Sequence, residues 1–171
     1  NCGPGSFLPV LFQLSSGGVI GEEKCEAGDL VLDGMRWGLV PSYTKAESKE
    51  EAFKKSYNMI NARSDNLERV HKRLLDRKRC VVVVDGFYEW LTPGASVPSE
   101  TDAKSPSPRK PAGSTRRRPF FIKPKGEQPL LLAGLYDCWY PADKEEEGDP
   151  VYSVTIVTTD SNTQMAWLHD R

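Results

Sequence analysis

The stretch RCVVVVDGFYEW, running from Arg79 to Trp90, decides the fold class. Four successive valines predict a strand buried on both faces, and Asp85-Gly86 then punctuates the chain as a turn. Working upstream, Leu67, Val70, Leu74 and Leu75 recur at spacings of three to four. That period predicts one helix within 61–79, with Ser64 or Asp65 able to cap its start. Residues 45–55 are dominated by charge and read as a solvated helix or loop. LVLDGMRWGLV (30–40) reads as two strand segments broken by a hairpin signal at Asp33-Gly34. FLPVLFQL (7–14) predicts another strand. Downstream, 119–122, 130–139 and 151–159 predict three more. In the last, Tyr152, Val154 and Ile156 alternate with Ser153, Thr155 and Val157, the pattern of a half-exposed strand. KEEEGD between the last two reads as an acidic turn. The expectation is a β-rich α+β domain with one clear helix, no βαβ rhythm and no internal repeat.

At 171 residues and 38% hydrophobic, the chain is long enough for one domain with its own core. Its net charge of −1, from 23 basic and 24 acidic residues, excludes a blanket polycation. A nucleic-acid site must therefore be a local patch. Cys2, Cys25, Cys80 and Cys138 lie 23, 55 and 58 residues apart, without a CxxC pair. Neither His71 nor His169 shows metal-ligand spacing with them, so no metal and no cofactor is expected. Reduced thiols suit Cys80 and Cys138, which lie in apolar stretches. The sequence contains no apolar run of membrane-spanning length, and its start is not a signal peptide. Because it opens on Asn1 and not on Met, residue 1 is expected not to be the natural start. Residues 91–118 hold five Pro, five Ser and six Lys/Arg against two Asp/Glu, with almost no large apolar side chains. This is the composition of a flexible basic insertion: a solvated loop, a phosphorylation site, a nuclear signal or a DNA-attracting arm.

Four segments carry groups that a plain core does not need: 35–41 (MRWGLVP), 61–64 (NARS), 85–90 (DGFYEW) and 168–171 (LHDR). Glu89, between Tyr88 and Trp90, is a candidate general acid/base. Strand alternation equally allows it to face solvent while both aromatics point inward. His169 is the only histidine outside the charged helix and has the side chain that neutral-pH proton transfer needs. His71, among Arg69, Lys72 and Arg73, is expected on the helix surface. Trp37 and Trp90, each near an arginine or a polar turn, can stack on unpaired bases or simply pack in a core.

Taken in order, RWGLVPS, NARSD, RCVVVVDGFYEW, PFFI, AGLYDCW, TIVTTDSN and LHDR resemble the sequence blocks of the SOS-response-associated peptidase (SRAP) family. The resemblance spans nearly the whole chain and implies a single domain of mixed and antiparallel sheets around a barrel-like core. It also implies a chemistry, in which the amine and thiol of an N-terminal Cys condense with the aldehyde of an abasic site to a thiazolidine. Autoproteolytic removal of the leading residue and abasic-site lyase activity come with it. Residue by residue, the resemblance makes Asn61 a catalytic residue that holds the abasic sugar, and Arg63 a contact to its phosphate. Glu89 becomes the acid/base beside the nucleophile, and His169 its partner in ring opening and cross-link reversal. Trp37 and Trp90 become wedges and stacking platforms, and Arg171 a second phosphate contact.

NCG at the start is similar to the family's opening MCG. However, Asn1, Pro4, Pro9 and Val10 fit a later family block, Asn-x-x-Pro-x-x-x-x-Pro-Val, in register. On this reading Cys2 is a variable position and the nucleophile lies upstream; the alternative is that Cys2 itself is the nucleophile. The family also continues past His-x-Arg, so both ends of the domain are expected to be missing. The implied partner is single-stranded DNA with abasic sites, bound by a monomer, with replication-fork proteins as further partners and no membrane involved. The basic insertion favours a nuclear, eukaryotic setting over a bacterial cytoplasm. Two other readings stay open: a non-covalent reader of damaged or modified DNA, and a Cys/His protease built from Cys2, His169 and Glu89 or Asn61.

Overall fold

The valine run forms β6 (Arg79–Val84), and it lies between β1 (Phe7–Gln13) and β9 (Leu130–Trp139), antiparallel to both. The computed structural model describes residues 1–14, 17–20, 23–91, 97, 117–141 and 150–171. The basic insertion (92–96 and 98–116) and the acidic segment before Val151 fall outside the described residues. Two compact units emerge, one of 1–84 with 130–158 and one of 85–129 with 159–171.

In the first unit, β1 also pairs with β4 (Leu30–Trp37), and β9 with β10 (Val151–Thr158). The ring closes where β10 runs parallel to β4, Ser153 opposite Arg36 and Val154 opposite Trp37. This is a five-stranded mixed barrel, the β-rich fold with a barrel core that was expected. The interior is a single cluster from Leu8, Val10 and Phe12 of β1, Met35, Val82, Tyr136 and Val154. Strand β1 alternates buried and exposed positions, as one-sided burial requires. Further along β10, β5 (Asn61–Arg63) pairs with it in parallel, Ile156 opposite Asn61. A short hairpin of β2 (Gly18–Ile20) and β3 (Glu23–Cys25) completes the strands of this unit.

Five local expectations fail here, each because a tertiary partner outweighs a local signal. Asp33-Gly34 is no turn: β4 is continuous, held by a seven-residue register with β1 that places Gly34 opposite Pro9. A two-residue hairpin needs positive φ, which Gly34 does not adopt. The valine run is not buried on both faces. Cys80 and Val82 point into the barrel, while Val81 and Val83 are half-buried on its outside, as an antiparallel barrel strand alternates. Strand β10 is more buried than its pattern suggested, with Ser153, Val154 and Thr155 all inaccessible. Its outer face lies under the segment after β4, where Ser153 Oγ accepts the Val40 N–H at 2.8 Å.

That segment leads into α1 (Lys49–Ser56), the helical one of the two readings, helix or loop, that its charges allowed, started by Ser48 Oγ accepting the Glu51 N–H. Ala52 of α1 packs with Val40 and Trp139 as a second small core. Finally, 61–79 is not one helix. Its first three residues are taken by β5, a 3-10 turn follows (Ser64–Asn66), and α2 (Leu67–Val70) is separated from α3 (Lys72–Leu75). The break is His71 (φ −119°, ψ 15°), and its side chain is buried and not on the surface.

Burial holds the His71 imidazole below its ordinary pKa. The unfolded chain therefore binds a proton more readily than the folded one. Stability should fall as pH drops below about 6.5, the unperturbed histidine value. Thermal melts of His71→Phe are expected to lose that part of the pH dependence. A variant with the same slope between neutral pH and about pH 5 as the parent would refute the assignment.

The second unit is a hairpin of β7 (Phe87–Leu91) and β8 (Arg118–Ile122), together with the turns of 159–171. Asp85-Gly86 does not fold β6 back on itself; it hands the chain to this separate sheet.

Candidate functional site

Strand β7 decides which way Glu89 faces. Its exposure alternates so that Phe87, Glu89 and Leu91 share one face, while Tyr88 and Trp90 lie outward, 44% and 47% exposed. Glu89 is thus the group turned inward, opposite Phe120 of β8, and its Oε1 accepts the Trp90 N–H at 3.0 Å. The carboxylate is about three-quarters covered and lies 4.0 Å from His169 Nε2. On the outer face, Tyr88 stacks near Trp90 and Phe121, with centroids 6.5 and 5.0 Å apart.

Residues 159–171 hold the imidazole in place. Asn162 Oδ1 accepts the main-chain N–H groups of Gln164 and Met165. Leu168 is buried, and Trp167 meets Phe120 edge-on at 5.1 Å. At His169 the Nδ1 atom faces two partners with opposite demands. The Arg171 main-chain N–H points at it from 3.1 Å and needs its lone pair, whereas Asp170 Oδ1 at 3.0 Å needs a proton there. Nδ1 therefore satisfies one of these two partners at a time, while Nε2 is the atom on the Glu89 side. Asp170 was quoted only as part of LHDR, and nothing in its spacing marked it. Arg171 approaches Asp160 Oδ1 at 3.5 Å.

Trp37, Asn61, Arg63 and Cys2 belong to the barrel unit. Trp37 is half-buried against the barrel core and donates its indole N–H to the Ile60 carbonyl at 2.9 Å, which anchors the residue before Asn61. Asn61 is exposed at the start of β5. Two residues on, exposed Arg63 meets Asp65 with both arms of its fork, at 3.1 and 2.6 Å. Among the four thiols Cys2 is exposed, Cys25 and Cys138 are half-buried, and burial pushes Cys80 up to about 12.

The family model described as SOS response associated peptidase (SRAP) matches residues 1–171. The chain belongs to this family. Similar proteins include the abasic site processing protein HMCES of Xenopus tropicalis, 34% identical over all of this chain and 48% of its own length. The abasic site processing protein of Saccharomyces cerevisiae is 32% identical over 80% of the chain and 29% of its own length. YoqW of Bacillus subtilis, which bears the same description, is 34% identical over 82% of the chain and 50% of its own. The chain thus spans about half the length, or less, of these curated relatives. Among solved structures, a Bacteroides thetaiotaomicron protein shares the fold with a TM-score of 0.58 and 24% identity, covering 80% of this chain and 49% of its own.

Proposed function

We propose that this chain is the core of a DNA-damage protein that captures abasic sites in single-stranded DNA as a thiazolidine. The observation that carries this reading is the Glu89–His169 pair: a largely covered carboxylate 4.0 Å from an imidazole nitrogen. Such a pair suits thiazolidine formation, whose proton transfers it can speed. The α-amine of an N-terminal cysteine adds to the sugar aldehyde, and the carbinolamine expels water when its hydroxyl is protonated. The thiolate then closes the ring on the imine carbon, so that one water leaves for each aldehyde consumed. Glu89 accepts the amine proton and returns it to the departing hydroxyl. His169 protonates the ring oxygen as the sugar opens, and in reverse assists release. Asn61 and Arg63 hold the sugar and its phosphate, Arg171 contacts a further phosphate, and Trp37 and Trp90 support the unpaired strand. The same nucleophile, in an unprocessed chain, removes its own leading residue.

The test uses single-stranded DNA with one abasic site, incubated with the protein in its full natural length and, separately, with residues 1–171. A denaturing gel reports covalent capture. An adduct with the full-length protein alone is expected. An adduct also formed by residues 1–171, and lost in Cys2→Ser, would make Cys2 the nucleophile. Salt-dependent binding with no adduct from either would leave a non-covalent reader.

A further inference from the structure

The capture chemistry leaves one neighbour of His169 without a task. Asp170 Oδ1 stands 3.0 Å from the His169 Nδ1, and the Arg171 main-chain N–H points at the same atom from 3.1 Å. These two partners select opposite tautomers of the neutral ring. The Arg171 N–H needs the Nδ1 lone pair, which sends the ring proton to Nε2. The carboxylate needs a proton on Nδ1, which leaves the Nε2 lone pair on the Glu89 side, 4.0 Å from Oε1. A hydrogen bond to an ionised acceptor is about twice as strong as one between neutral groups, which favours Asp170. Its side chain is 88% exposed, so solvent keeps that lead small.

The choice of tautomer decides what His169 can do. An imidazolium that passes its Nε2 proton to the sugar ring oxygen is left with its remaining proton on Nδ1. That proton needs an acceptor, and Asp170 Oδ1 is within reach of it. Nε2 is then the ring atom that gives a proton as the sugar opens and takes one back on reversal. The neutral Nε2–H tautomer has no such proton to give, because losing it would leave an imidazolate. We propose that Asp170 is a positioning residue that holds His169 in its Nδ1–H tautomer and so keeps Nε2 for proton transfer. The aspartate of a Ser-His-Asp triad holds its imidazole by the same physical means. The assignment rests on the role given to His169 under the proposed function and deepens it.

Asp170→Ala in the full-length protein tests it, with circular dichroism to check the fold. Nitrogen-15 shifts of the imidazole at about pH 8.5, roughly two units above the ordinary histidine pKa, report the tautomer of the neutral ring. The His169 signals are assigned by their loss in His169→Gln. The ratio of Nδ1–H to Nε2–H should fall by about twofold to fivefold, the range that a charged contact this exposed supplies. At saturating abasic DNA, adduct formation and its reversal should slow by a similar factor. Asp170→Asn, whose amide oxygen still accepts the Nδ1 proton, should restore part of both. An unchanged tautomer ratio in Asp170→Ala overturns the proposal, and so does a shifted ratio with both rates at the wild-type value. A tautomer shift in a protein that never forms an adduct would sink the capture chemistry and leave the placement of the proton standing.

Discussion

Glu89→Gln in the full-length protein is expected to slow adduct formation with abasic DNA by about 10²-fold or more, the lower end of what a positioned general acid/base contributes. The substitution is chosen because it separates chemistry from structure. Glu89 Oε1 accepts the Trp90 N–H, and the amide oxygen of Gln accepts the same bond at the same place in β7. Its volume opposite Phe120 is nearly unchanged, so the hairpin should keep its stability within about 0.5 kcal/mol. What Gln cannot do is take a proton from the attacking amine and give it to the leaving hydroxyl. Single-turnover rates of adduct formation show the difference. A rate within about threefold of wild type would remove Glu89 from the mechanism. DNA affinity should hold, because the proposed phosphate contacts lie on other side chains.

The second large effect is structural. Gly86→Ala is expected to destabilise the β7–β8 hairpin by about 1–3 kcal/mol, the typical range of overpacking. A Cβ at residue 86 would fall on the Ile122 carbonyl oxygen and lie 2.8 Å from the Phe121 ring. The first of these is backbone, fixed by the register that sets Phe87 opposite Ile122. The hairpin must therefore shift or open, and Glu89 shifts with it. Hydrogen exchange should show lost protection in β7 and β8 amides, with adduct formation falling in parallel. Gly34→Ala is the control. Its Cβ would meet only the Phe7 side chain, at 3.9 Å, and its φ is not positive, so the change should cost less than about 0.5 kcal/mol. Equal protection in Gly86→Ala and wild type would show that the close approach is not needed.

The two substitutions also show where sequence reading succeeds and where it stops. Strand identities came from runs and alternation of apolar residues, because burial imposes that period on any sheet. FLPVLFQL and LLLAGLYDCW therefore became β1 and β9 with little change. The failures share one cause. Asp33-Gly34, the 61–79 helix and the outer face of β10 were judged by local signals, whereas the ladder to β1, the pairing of β5 with β10 and the cover near Val40 come from residues distant in sequence. Local propensities are worth tenths of a kcal/mol to about one, and a full register of cross-strand pairs outweighs them.

The site divides in the same way. Glu89 and His169 stood out as residue types, but alternation left Glu89 free to face either side. Only the hairpin pairing turned it inward, opposite Phe120, with the His169 imidazole 4.0 Å away. Asp170 and the break at His71 had no signature in spacing at all. The sequence by itself determined the β-rich class, the family and the types of group available for chemistry, since these follow from composition, period and ordered blocks. Tertiary structure alone decided which face each group occupies and which groups meet, because those depend on contacts between residues far apart along the chain.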